Sequence, residues 1–269
     1  MDDRAIAIFD SGLGGLTALA ALRRRLPGES IVFFGDSARA PYGSRTREEL
    51  VKMSLQDLNF VSGFDVKAVL IACGTSSSNA MEELKNASAV PVIGVIDSAA
   101  ERAAALAMRG RIGVIATEAT IRSGAYVRAL ERLAPEAEII ARACPSFVPL
   151  VESGKFGGGF EEARTAVRQE LAPFREAGVD VLLLGCTHYP LLSAEISEFL
   201  PDTVLVSNSE EAAGAMAQLL RESDALSAQS EGKTRFFTSG DAQLFRERSA
   251  MFLGRDLGGT VEGIEPFEI

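Results

Sequence analysis

Along the chain, short runs of consecutive apolar residues alternate with longer stretches in which apolar side chains recur every three or four positions. Nine short runs read as strands: AIAIF from Ala5, IVFFG from Ile31, KAVLIA from Lys67, VIGVI from Val92, RIGVIA from Arg111, EIIARA from Glu138, VDVLLLG from Val179, TVLV from Thr203 and TRFFTS from Thr234. Helical patterns lie between them. LTALAALRRRL puts Leu16, Leu19, Leu22 and Leu26 on one face, and SRTREELVKMSLQDLNFVSGF puts Val51, Leu55 and Leu58 in line. Strands that alternate with amphipathic helices predict parallel sheets covered on both faces, the α/β class. In such sheets ligands collect beyond the carboxyl ends of the strands.

The scheme occurs twice. IAIFDSGLGGLTAL is a strand, a loop of small polar residues and a helix, and IGVIATEATIRSGAYVRAL repeats it from Ile112. VKAVLIACGTSSSNA reads as strand, Cys-Gly-Thr, helix; VDVLLLGCTHYPLL reads as strand, Cys-Thr-His, helix. Two similar doubly wound halves are expected, each ending a strand in a cysteine. The gentlest boundaries fall near Asp97 and Ser207, so residues 98–206 would be inserted into a unit made of 1–97 and 207–269. The glycines of SGLGGL lack the G-x-G-x-x-G spacing, and SGKFGGGF around Lys155 has no G-K-[ST]. Both read as turns, the second as a mobile loop.

Composition narrows the partners. The 27 basic and 37 acidic residues give a net charge of −10, which repels phosphate backbones and anionic lipid. No apolar run approaches the roughly 20 residues that cross a bilayer, and the start MDDRAIAIFDSG is too acidic and too short in apolar core for a secretory signal. A cytoplasmic protein with reduced thiols is expected, without nucleic-acid or membrane partners. Cys73, Cys144 and Cys186 show no C-x-x-C spacing and share one histidine, His188, so no metal site is predicted.

Cys73 and Cys186 are the candidate chemistry. A thiol titrates near 8.5, so only a few per cent is thiolate at neutral pH without help from neighbours. One thiolate and one thiol on opposite faces of a substrate make a base and an acid, and together they can invert a stereocentre. Asp10 and Ser11 end the first strand and His188 follows Cys186 by two residues, so Asp10 and His188 can each exchange a proton with a sulfur. Thr75 and Thr187 fall at expected helix starts, where free N–H groups suit a carboxylate. APYGSR, Ala40 to Arg45, reads as the start of another helix with the same capacity. Each piece also has a plainer reading: buried cysteines are mostly packing, and Asp10-Ser11 can cap a helix beginning at Leu13. For Cys144, with no acid–base partner nearby, packing is the reading kept. The residues taken together leave two classes open, proton transfer at carbon and a two-lobed binder of dicarboxylates.

IFDSGLGGLTAL, GDSARAPYGSRT, IGVIATEATIRSGAYVRAL, ACPSFVPLVE, GCTHYPLL and FFTSGD resemble, in order, the signature blocks of the glutamate racemases. The resemblance runs from about Ala5 to beyond Asp241. It implies two α/β domains related by pseudo-twofold symmetry with the active site between them, and a cofactor-independent interconversion of L- and D-glutamate that supplies peptidoglycan synthesis. It implies Cys73 and Cys186 as the acid–base thiols, with Asp10 and His188 as their auxiliaries. Asp10, Ser11, Tyr42, Gly43, Gly74, Thr75, Thr187 and His188 would bind substrate, with Ser44, Thr117 and Thr120 as weaker candidates. It also implies a homodimer. One departure stands out: the family usually has Cys-Asn-Thr where this chain has Cys73-Gly74-Thr75. On that basis the chain is expected to lack one amide contact, a loss of about 0.5–1.5 kcal/mol, and racemisation of aspartate is the close rival.

Overall fold

The computed structural model describes residues 1–257 and 259–268; position 258 and residue 269, the end of the first predicted unit, lie outside the described residues. All nine predicted strands form: β1 (Ala5–Asp10), β2 (Ile31–Gly35), β3 (Val66–Ile71), β4 (Val92–Ile93), β5 (Arg111–Ala116), β6 (Glu138–Ala143), β7 (Val181–Leu184), β8 (Val204–Ser207) and β9 (Thr234–Thr238). A tenth, β10 (Val261–Gly263), has only three residues and no apolar run to announce it. β4 is shorter than VIGVI suggests. Gly94 lies hard against Met81 and Ser77, and the Val95 N–H turns to the Ser77 hydroxyl at 3.3 Å instead of pairing with a strand.

The strands build two parallel sheets, ordered β10-β9-β2-β1-β3-β4 and β6-β5-β7-β8. The chain changes sheet between β4 and β5 and returns between β8 and β9. Within the first sheet, β2-β1-β3-β4 has the same order as β6-β5-β7-β8 in the second, so β1 corresponds to β5 and β3 to β7. The echo in the sequence is thus an echo in topology. β3 and β7 are buried along their whole length, as central parallel strands covered on both faces must be.

One apolar cluster joins the halves. Ile6, Ile8 and Leu70 of the first sheet belong to the same buried core as Ile112, Leu182 and Met216. The helix Leu16–Arg25 packs on Asn208–Glu222, which in turn packs on Asp97–Leu106. The predicted leucine face does this work: Leu16, Leu19 and Leu22 are buried, with Leu26 just past the helix end.

Two local expectations need correction. Ala40–Arg45 does not begin a helix; the helix runs Arg47–Ser62. Thr46 sets that start with a capping box, its side chain accepting from the Glu49 N–H at 3.3 Å while Glu49 accepts from the Thr46 N–H at 2.9 Å. Its buried residues are Leu50, Met53, Ser54, Asp57, Leu58 and Val61, and Val51 and Leu55 are half-buried. Val51 and Leu55 pack against the same apolar cluster as Leu58, as the pattern predicts, and the pattern does not announce the buried Asp57, which pairs with Arg39. Likewise the first helix starts at Leu16 and not at Leu13; its N-cap, Gly15, has no side-chain cap of its own, and the Asp10 carboxyl accepts from the Gly15 N–H just ahead of the helix.

Candidate active site

Cys73 and Cys186 each stand two residues beyond a central strand, β3 and β7, which correspond in the two sheets. Both line a single cavity of about 460 Å³, in the size range of small-molecule sites. Ser11, Tyr42, Gly43, Gly74, Thr75, Thr187 and His188 line it too, as do Ser44 and Thr117. Asp10 sits behind that wall, fully buried. Thr120 does not reach the cavity; it braces Thr117, hydroxyl to hydroxyl at 2.9 Å. Cys144 is buried outside it, and its carbonyl accepts from the Tyr189 hydroxyl at 2.8 Å.

The two sulfurs have unlike neighbours. Cys73 is the N-cap of the helix Gly74–Asn79; its sulfur accepts from the Ser76 N–H at 3.5 Å, and its thiol donates to the Ser11 hydroxyl at 3.5 Å. Burial, with the Asp10 carboxyl nearby, pushes this thiol up to about 11. Asp10 accepts from the Gly12 N–H at 3.0 Å through one oxygen, and burial holds its carboxyl above the usual range against the pull of His188. Cys186 has His188 instead, sulfur to Nδ1 at 3.7 Å. On the far side of the ring, His188 Nε2 lies 3.3 Å from Glu152 Oε1. Burial alone would lower the imidazolium, yet its contacts with Cys186 and Glu152 outweigh that and hold it up at about 10. Glu152 is held low, chiefly by the His188 hydrogen bond.

The Pro41–Ser44 stretch is anchored from below. Tyr42 donates its hydroxyl to Asp36 and, at 3.0 Å, to Asp57, and Arg39 pairs with Asp36 at 2.6 Å and Asp57 at 2.8 Å. All four are buried. Three contacts then cross between the halves around the cavity. The Ala119 N–H donates to the Gly43 carbonyl at 3.0 Å, Thr75 meets Thr117 hydroxyl to hydroxyl at 3.0 Å, and the Thr17 hydroxyl reaches the Thr187 carbonyl at 3.1 Å.

Several of these residues escape a reading of the sequence. Glu152 ends the short helix Phe147–Glu152, where no periodicity distinguishes it from a surface glutamate. Its only signal is its place in the ACPSFVPLVE block. Arg248, which lines the cavity from the helix Ala242–Leu253, lies outside every block. After Cys186 the chain forms a 3-10 turn, Tyr189–Leu192, before the helix Ser193–Phe199, so Thr187 does not open an α-helix as expected. Among the described residues no group of three His, Cys, Asp or Glu side chains is placed to hold a metal ion. No helix among them is long and apolar enough to cross a membrane.

Two thiols lining one cavity, each beside a polar partner, can give and take protons from a small molecule held between them. Residues 17–216 match the family model described as Asp/Glu/Hydantoin racemase. The glutamate racemase of Geobacter metallireducens is 46% identical over 261 residues, covering 96% of each chain. Glutamate racemase isoform RacE1 from Bacillus anthracis superposes with a TM-score of 0.92 at 34% identity, covering 100% of both chains. The Francisella tularensis glutamate racemase, solved in complex with D-glutamate, gives 0.91 at 34% identity over 99% of each. The chain therefore belongs to the Asp/Glu/Hydantoin racemase family, among its glutamate racemases.

Proposed function

We propose that this chain interconverts L- and D-glutamate by a two-base mechanism in which Cys73 and Cys186 work from opposite faces of the α-carbon. A thiolate at one position takes the α-proton and becomes a thiol. The thiol at the other position delivers its proton to the opposite face and becomes a thiolate, so charge and protons balance and the configuration inverts. Asp10 serves the Cys73 side and His188 the Cys186 side, each holding or returning a proton between turnovers. Ser11, Tyr42, Gly43, Gly74, Thr75, Thr187 and His188 receive the substrate's amino and carboxylate groups. The single observation that carries the reading is that the two cysteines line one cavity from corresponding strand ends, each with its own polar partner.

The lobes of this machine are residues 1–97 with 207–269, and residues 98–206. The product serves bacterial peptidoglycan, the reaction needs no cofactor, and the enzyme works in the cytoplasm as a homodimer. To test the activity, the protein is incubated with L-glutamate in deuterated water, with a chelator and without pyridoxal phosphate. D-glutamate carrying α-deuterium is expected; absence of both would end the proposal. Aspartate, one methylene shorter, is run alongside, and a clear preference for it would overturn the choice of substrate. Cys73→Ala and Cys186→Ala should each lower racemisation by at least about a hundredfold, the usual scale of acid–base catalysis. Cys144→Ala should leave the rate within about twofold, since its sulfur lies outside the cavity.

A further inference from the structure

Position 74 is where the two thiol-bearing segments touch. A Cβ placed on Gly74 would stand less than 3.0 Å from the Gly185 carbonyl oxygen, closer than Cβ atoms come to any neighbour. Gly74 follows Cys73 and Gly185 precedes Cys186, so this backbone contact joins the two thiol-bearing segments directly. Neither side has room to retreat. The Gly185 N–H is bonded to the Ile115 carbonyl at 2.7 Å, and a Cβ on Gly185 would itself run into the Tyr126 ring and the Ile115 carbonyl. On the other side, the Ala72 N–H is held by the Phe9 carbonyl at 3.0 Å, and the Cys73 carbonyl accepts from the Ser77 N–H at 2.9 Å. Each glycine is thus fixed to its own sheet, and Asn208 Nδ2, 3.8 Å from the same Cβ position, fills the space beside it.

We propose that Gly74 is a positioning residue that sets the separation of the two thiols in this chain: with glycine in place of the family's usual asparagine the halves close to backbone contact, and a larger residue introduced into this closed arrangement holds the cleft open. This revises the expectation drawn from sequence, in which Gly74 merely lacks an amide that would touch substrate. The two accounts differ in sign for Gly74→Asn. A missing amide predicts tighter binding and faster turnover when asparagine is supplied. A spacer predicts that asparagine and alanine both slow the enzyme, because a displacement of about 1 Å at reacting groups can cost on the order of a hundredfold.

The inference rests on the two-thiol reading above, and one experiment separates the two. The parent, Gly74→Ala and Gly74→Asn are assayed with L-glutamate in deuterated water, with thermal melts of each. A parent that does not racemise would refute the two-thiol reading itself. With an active parent, both variants should melt cooperatively and lose about ten- to hundredfold in kcat, with KM changed by less than about threefold. They should also place relatively more deuterium in recovered L-glutamate per D-glutamate formed, since a wider gap delays delivery from the second thiol and lets the first exchange with solvent. Gly74→Ala within twofold of the parent in kcat, or Gly74→Asn faster than the parent, would overturn the proposal. So would variants that no longer fold, because the claim is that the halves move apart and the fold survives.

Discussion

Two side chains of identical chemistry occupy environments that treat charge differently. Cys73 is walled by backbone and the Ser11 hydroxyl, with the buried Asp10 carboxyl nearby, and its thiol is pushed up to about 11. Cys186 faces an imidazole whose proton is retained up to about 10. At neutral pH His188 is therefore a cation between a sulfur and the Glu152 carboxylate. Its raised value carries a stability consequence. A group with a folded-state pKa above its unfolded value of about 6.5 contributes stability that is complete below 6.5 and is lost as pH climbs through about 10. Melting temperatures of the parent should fall more between pH 6 and pH 9 than those of His188→Asn; equal falls would contradict the assignment. Glu152→Gln removes a carboxylate that helps hold the His188 proton, so the alkaline limb of the activity profile should move to lower pH with a loss in rate of about tenfold. An unshifted limb would show that Glu152 does not act through His188.

The strands and most helices were legible because they follow from periodicity, and all nine predicted strands form. What failed were positions governed by a distant partner. Val51, Leu55 and Leu58 of the helix Arg47–Ser62 do pack on one apolar cluster, but nothing in their pattern announces Asp57, which is buried beside them and held with Asp36 around Arg39. No one-dimensional pattern marks a carboxylate whose counterion comes from a loop. The same cluster carries the Tyr42 hydroxyl and so fixes the Ala40–Arg45 stretch, which reads in sequence as a helix start and is a loop. Arg39→Met should leave two buried carboxyls without their cation and cost about 3–5 kcal/mol, measured by urea denaturation at pH 7. A cost below 1 kcal/mol would mean the cluster is not what secures the loop. Tyr42, Gly43 and Ser44 stand in a family block and line the cavity, whereas it takes the fold to bring Glu152 and Arg248 to it.

At the level of the entire molecule, the repeated strand–cysteine–helix scheme foretold two similar sheets, and the strand orders bear this out. The contacts between the halves were not foretold. Gly43 with Ala119, Thr75 with Thr117, and Gly74 with Gly185 each join residues remote in sequence, and together with the shared apolar core they close the cavity around whatever it holds. Two-base racemisation requires that this closure bring two sulfurs to one carbon. The direct measurement is a crystal structure of the protein with glutamate bound. Both sulfurs are predicted to lie about 3–3.5 Å from the α-carbon, or its proton's line of approach, on opposite faces. Glutamate bound with one sulfur near the α-carbon and the other turned away, or both on the same face, would contradict it.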